Sequence, residues 1–167
     1  MVKGYRKTPL FGPPVFDPTN FERIGLGMKK VLFICTGNTC RGPMAQGIFQ
    51  KLTKNFSQKA ECASAGILAV KGQKVTPWTR QVCQEIGVDI SQYRAECLTD
   101  EKMEEWDLLV VMAEDQRMVI VGAGIPENKV VLLGVEDPYG GSIDNYRKCR
   151  DLLEQRLRER VLPLLNQ

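Results

Sequence analysis

The stretch Val31-Leu32-Phe33-Ile34-Cys35-Thr36-Gly37-Asn38-Thr39-Cys40-Arg41-Gly42-Pro43-Met44-Ala45 constrains this chain more than any other. Its apolar, β-branched start reads as a short strand buried on both faces. The strand ends on a cysteine, and a short polar loop closes on an arginine. A helical repeat begins there, with Met44, Ile48, Phe49, Leu52 and Phe56 on one face. Pro43 suits the first turn, where the N–H it lacks would have no partner anyway. Strand, tight loop and helix in that order aim the loop amides and the first-turn N–H groups at one point, which makes an anion cradle. The same field favours thiolate over thiol at Cys35. Arg41 adds a planar fork matched to phosphate oxygens. A thiolate beneath a bound phosphate can attack phosphorus, so the stretch points to phosphoryl transfer through a cysteinyl-phosphate.

The rest of the chain alternates strand and helix. Glu61 to Ala65 is a weaker strand ending in Ser64-Ala65-Gly66, followed by a loop of small and basic residues from Ile67 to Val75. Thr76-Pro77 opens a helix with Trp78, Val82 and Ile86 on its core face, closed by Gly87. Thr99 caps a short helix with Asp100 and Glu101 in its first turn. Asp107 to Ala113 holds a second buried strand, and Glu114 to Val121 a helix closed by Gly122 and Gly124. Lys129 to Gly134 is the last strand. The loop Glu136-Asp137-Pro138-Tyr139-Gly140-Gly141 leads to Ser142, which caps a long helix with the stripe Ile143, Tyr146, Cys149, Leu153, Leu157, Val161 and Leu164. Glu154 and Arg158 form an i,i+4 pair on it. The pattern predicts an α/β fold: a four-stranded parallel sheet with helices on both faces, right-handed crossovers, and the Cys35 loop at the C-terminal end of the first strand. Ligand sites in such sheets lie beyond the carboxyl ends of the strands. Cys35, Ser64, Glu114 and Asp137 each follow a strand and so gather on one rim.

Composition narrows the chemistry. The net charge of +3 is small and spread out, which gives no footprint for nucleic acid. No apolar run spans a bilayer, and the N-terminus has no signal-peptide core, so the expectation is a cytoplasmic protein without membrane contact. Six cysteines without an export signal are expected to be reduced. With no histidine and no C-x-x-C pair, no metal or other cofactor is expected. The absence of histidine also means that any acid–base partner of Cys35 is most simply a carboxylate. Cys40 sits close enough in sequence to Cys35 for a reversible disulfide that shields the nucleophile. Cys62, Cys83, Cys97 and Cys149 read as packing residues. Residues 1–28, rich in Pro and Gly, form an extended N-terminal arm, flexible or non-native, ahead of a catalytic domain over residues 29–167.

The C-x5-R pattern at a strand-to-helix junction, Ser64-Ala65-Gly66, and Asp137-Pro138 before the last helix together resemble the low-molecular-weight protein tyrosine phosphatase family, over roughly Lys29 to Leu165. The segments Cys35 to Arg41 and Asp137-Pro138-Tyr139-Gly140-Gly141-Ser142-Ile143-Asp144 resemble the bacterial protein-arginine phosphatase branch of it. The resemblance implies Cys35 as nucleophile, Arg41 as phosphate clamp and Asp137 as general acid and then base. Thr36, Gly37, Asn38, Thr39 and Cys40 donate backbone N–H groups to the phosphate. Gly37 and Asn38 are expected to tolerate positive φ. Asn38 braces the loop toward Ser64, and Tyr139 forms an aromatic wall, whereas Trp78 is assigned to the core.

Substrate choice falls on Thr39. Family members acting on phosphotyrosine usually carry a larger apolar residue there. A threonine leaves a smaller, more polar cavity suited to a guanidinium, which favours phosphoarginine. The expected partners are phosphorylated proteins, with inorganic phosphate as product and inhibitor. The alternatives are a tyrosine phosphatase of the same family, an arsenate reductase, and a non-catalytic phosphate-binding module. The reductase needs two further cysteines near the third strand, and Leu108 to Arg117 has none. One position departs from the family pattern. Serine or threonine normally follows the arginine and donates a hydroxyl to the thiolate, and here the residue is Gly42. The expectation is slow turnover with an accumulating cysteinyl-phosphate, relieved by Gly42→Ser.

Overall fold

The computed structural model describes residues 28–56 and 60–166. The expected N-terminal arm lies outside the described residues, apart from Met28. The first strand, β1 (Lys29–Cys35), leads through the polar loop into α1 (Arg41–Thr53). β2 (Ala60–Gly66), α2 (Pro77–Gln84), α3 (Asp100–Glu104) and β3 (Leu108–Val111) follow. The chain continues through α4 (Glu114–Gly122), β4 (Val130–Leu132) and α5 (Ile143–Arg160). The sheet order is β2-β1-β3-β4 and every pairing is parallel. β1 is therefore a central strand, which explains why Val31 to Ile34 are apolar on both faces.

Side-chain alternation along β1 splits the core in two. Val31, Phe33 and Cys35 face α1, α2 and α5, packing with Met44, Ile48, Phe49, Val82, Leu153 and Leu157. Phe33 and Phe49 meet edge-on, with ring centroids 5.4 Å apart. Leu32 and Ile34 face the other way, onto Met103, Trp106, Leu109, Val111, Ile120 and Ile125. The period of two thus delivers Cys35 to the same side as the N-terminus of α1.

Helix ends follow local chemistry in most places. Thr76 Oγ1 and Ser142 Oγ each accept from the N–H three residues on, Thr79 and Asn145, both at 3.4 Å. Arg158 Nη2 pairs with Glu154 Oε1 at 2.9 Å. Four expectations need correction. Thr99 precedes α3, but its side chain makes no capping bond. Trp78 is 44% exposed, because the buried stripe of α2 is Thr79, Val82 and Cys83 and the indole lies on its margin. The α1 helix stops at Thr53, short of Phe56, which packs against the core from beyond the helix end. The last helix stops at Arg160, and Leu164 belongs to a separate 3-10 turn, Leu162–Asn166, that contains Pro163. No helix among the described residues is long and apolar enough to cross a membrane.

Candidate active site

The loop from Cys35 to Arg41 wraps a cavity of about 240 Å³ at the C-terminal edge of β1. Cys35, Thr36, Gly37, Asn38, Thr39, Cys40 and Arg41 line it, joined by Gln73, Asp137 and Tyr139. Every residue that the sequence places around the phosphate therefore faces one cavity. Ser64 stands behind the loop as a support.

The loop holds its shape through Asn38. Its φ is +56°, the left-handed region that asparagine tolerates better than most residues. Gly37 does not share that conformation, so only one of the two expected positions takes positive φ. The Asn38 side chain is fully buried and donates from Nδ2 to Ser64 O (3.3 Å), Tyr93 Oη (2.6 Å) and Glu96 O (3.4 Å). Ser64 Oγ donates to Gln46 Oε1 (2.9 Å) and lies 2.5 Å from Tyr93 Oη. Gly66 closes this corner: a Cβ there would fall 2.6 Å from Thr36 O and 3.0 Å from Asn38 Cβ. On the opposite flank the buried Gln116 accepts from Met112 N and Ala113 N, and donates to Thr36 Oγ1 at 3.3 Å.

Tyr93, Gln116 and Gln73 are the site residues that sequence reasoning misses. A tyrosine between two loops and a glutamine at the third position of α4 carry no motif. The one available signal was that Gln116 follows a strand on the same rim as Cys35.

Arg41 is the first residue of α1 and is 5% exposed. Its Nη1 donates to Val135 O (3.0 Å), and its Nη2 lies 3.5 Å from Asp137 Oδ2. Beyond β4 the chain is carried to this point by Leu133 N to Val111 O and Val135 N to Met112 O. Asp137 Oδ1 accepts from Tyr139 N at 3.1 Å, which turns the carboxylate inward while the Tyr139 ring stays 73% exposed at the mouth. The guanidinium fork and the carboxylate of the last loop thus meet beside the thiol.

The charge state of Cys35 departs from the sequence expectation. The thiol is 2% exposed, and burial pushes it up to about 11. The Gly42 N–H, the Arg41 charge and the Asn38 N–H, 3.2 Å from Sγ, all pull the other way without overcoming burial. Cys40 is buried, and its sulfur lies 3.5 Å from Thr76 Oγ1 and 3.8 Å from Tyr146 Oη. Both loop cysteines are free thiols. Of the remaining cysteines, Cys83 and Cys149 are buried and Cys62 and Cys97 half-buried. No group of three or more His, Cys, Asp or Glu among the described residues could hold a metal ion.

A cysteine and an arginine thus frame a helix N-terminus on a parallel α/β sheet, with a carboxylate brought in from the last loop. The chain belongs to the low molecular weight phosphotyrosine protein phosphatase family, whose model matches residues 30–166. It is an enzyme of that class, acting on phosphorylated protein substrates. It is 34% identical over 139 residues to the protein-arginine-phosphatase of Bacillus subtilis, covering 77% of this chain and 92% of that relative. It is 28% identical to the probable low molecular weight protein-tyrosine-phosphatase EpsP of Ralstonia nicotianae, over 77% of this chain and 90% of the relative. Among solved structures, a YwlE mutant from Bacillus subtilis superposes with a TM-score of 0.77 at 32% identity, covering 83% of this chain and 99% of that one.

Proposed function

We propose that this phosphatase removes phosphoryl groups from arginine side chains of proteins, through a cysteinyl-phosphate on Cys35. The observation that carries this reading is Thr39: a half-buried hydroxyl-bearing residue in the wall of a small cavity, where a bulky apolar side chain would favour an aryl ring. The likeness to a relative named for that activity supports it.

The phosphoryl oxygens enter the cradle of N–H groups from Thr36 to Cys40 and replace Asp137 as the partner of the Arg41 fork. A neutral thiol with a phosphoryl dianion carries the same proton count as a thiolate with the monoanion. The Cys35 proton therefore passes to a phosphoryl oxygen as Sγ attacks phosphorus. The S–P bond forms while the P–N bond to the guanidino nitrogen breaks, and that nitrogen takes a proton from Asp137. In the second half Asp137 accepts a proton from water, the water oxygen bonds to phosphorus, and the S–P bond breaks as Cys35 Sγ takes back the proton it lent to the phosphoryl oxygen. Inorganic phosphate leaves, and it competes with substrate for the same cradle. Gly42 in place of a hydroxyl donor makes this second half the slow one.

Phosphotyrosine is the second reading, favoured by the Tyr139 ring at the mouth, which can stack on a phenyl group. The deciding experiment is hydrolysis of matched phosphoarginine and phosphotyrosine peptides. A higher kcat/KM on phosphoarginine supports the proposal, and equal or reversed preference overturns it. A burst of at least one equivalent of phenol from para-nitrophenyl phosphate separates catalysis from a phosphate-binding module. An arsenate reductase reading would need a relay pair of cysteines beside β3, and that segment has none.

A further inference from the structure

One border of the cavity has a composition that the chemistry at its floor does not require. The segment 67–76 leaves β2 and is stapled to the phosphate-binding loop at both ends: Leu68 N donates to Thr36 O (3.0 Å) and Thr76 N to Thr39 O (3.1 Å). Its tip turns at Gly72, with φ +86°. The tip is pinned by Gly72 N to Ala95 O and Ala95 N to Gln73 O, both 2.8 Å, and by a bridge between Lys74 and Arg94. It is an ordered rim, with Gln73 turned into the cavity. Yet two of its large apolar side chains point to solvent, Leu68 at 75% and Val70 at 67% exposure. Lys71 and Lys74 stand on the same rim, and neither forms an ion pair with a described carboxylate, whereas the neighbouring Arg94 donates to Ser91 O (3.3 Å) and Tyr93 O (2.8 Å) of its own loop. The chain has no acidic residue between Glu61 and Glu85.

We infer that this rim docks the polypeptide flanking the phosphorylated residue, and that it fits substrates carrying an apolar side chain together with an acidic one close to that residue. The apolar side chain of the substrate covers Leu68 and Val70, and its carboxylate faces Lys71 and Lys74. Unpaired like charges along a fixed edge are complementary to an acidic segment and speed its arrival. A rim already held by hydrogen bonds loses little conformational entropy on docking. The inference rests on the cavity being the phosphatase site, and it holds whichever phosphorylated side chain enters.

The test uses the full chain, para-nitrophenyl phosphate, and two peptide pairs. Each pair, one built on phosphoarginine and one on phosphotyrosine, compares a Leu/Glu-rich flank with a Gly/Ser-rich one. Wild type should prefer the Leu/Glu flank by about five- to thirty-fold in kcat/KM, mostly through KM. Leu68→Ser with Val70→Ser should remove most of that preference. Lys71→Glu with Lys74→Glu should remove most of the preference for the Leu/Glu flank over the Gly/Ser one, and the wild-type preference should itself fall at high salt. Both double variants should hydrolyse para-nitrophenyl phosphate as wild type does, because that substrate reaches only the cavity. Equal rates on the two flanks by wild type would overturn the inference. Variants that lose small-substrate activity as much as peptide activity would overturn it too. So would rim-dependent sedimentation with phosphatidylserine vesicles in the absence of any flank preference, since the rim would then be a membrane contact. A preference for phosphotyrosine over phosphoarginine with the flank effect intact would defeat the substrate proposal and leave the rim standing.

Discussion

The side-chain oxygen of Asn38 lies 2.6 Å from where a Cβ on Gly42 would fall, and that oxygen is buried without a hydrogen-bond donor among the described residues. The same Cβ would approach Cys35 Sγ to 3.0 Å. Gly42 thus lets the Asn38 amide and the thiol crowd against the first turn of α1, while leaving an acceptor unmatched. A serine hydroxyl here, donating to the sulfur as it leaves phosphorus, would stabilise the thiolate, while its Cβ would press on both neighbours. Gly42→Ser and Gly42→Ala share the crowding and differ only in the donor. Hydrolysis of the cysteinyl-phosphate should therefore be faster in Gly42→Ser than in Gly42→Ala by about ten- to a hundred-fold, the worth of a charge-assisted hydrogen bond of about 1.5–3 kcal/mol. Single-turnover kinetics would measure it, and equal rates in the two variants would remove the hydroxyl from the account.

Thr39→Ile fills part of the cavity wall with an apolar side chain. Phosphoarginine hydrolysis should drop and phosphotyrosine hydrolysis hold or rise, changing the ratio of kcat/KM values by about tenfold or more. If both proteins hydrolyse phosphoarginine equally well, Thr39 is not the selector.

Tyr93→Phe removes the hydroxyl that receives Asn38 Nδ2 and contacts Ser64 Oγ. The fold should survive with a loss of about 1–3 kcal/mol in urea denaturation, the cost of leaving buried partners unsatisfied. Because Asn38 sets the loop conformation, kcat should fall more than KM rises. An unchanged kcat at reduced stability would confine Tyr93 to a structural role.

The Cys35 thiol, pushed up to about 11 by burial, is protonated in neutral solution. A raised pKa means that the thiolate fraction grows with pH until that value is reached. Alkylation by iodoacetamide in phosphate-free buffer, taken as the difference from Cys35→Ser, should climb about tenfold per pH unit from about pH 7 to about pH 9. A plateau already reached below neutrality would show that the cradle ionises the sulfur before any phosphate arrives.

Asp137→Asn should lower kcat on phosphorylated peptides by about 10²- to 10⁴-fold, the usual worth of general acid–base catalysis. Full activity in that variant would dissociate Asp137 from proton transfer.

The architecture was legible in the sequence because its signals are local. An apolar run too short for a helix, glycine and proline punctuation, and helical stripes such as Tyr146, Cys149 and Leu153 gave four strands and the helices between them. The misplacements came where a margin mattered. Trp78 sits at the edge of a buried stripe rather than within it, and the last helix yields to a 3-10 turn at Leu162. The loop was legible for the same reason, since Cys35 to Arg41 are contiguous and line one cavity at a helix N-terminus.

What the chain alone determined, then, is the set of candidate reacting groups: a thiol at the end of β1, an arginine at the start of α1 and a carboxylate in the loop beyond β4. The tertiary structure decided how they meet. Asp137 reaches Arg41 only because β4 pairs with β3 and β3 with β1, so the sheet order brings the last loop to the first. Tyr93 and Gln116 brace the loop from distant segments that no spacing rule connects to it. The ionisation of Cys35 was beyond the sequence as well. It depends on a balance between burial, which sums over every atom packed around the sulfur, and the few N–H groups that actually reach it. Only three-dimensional packing fixes that balance.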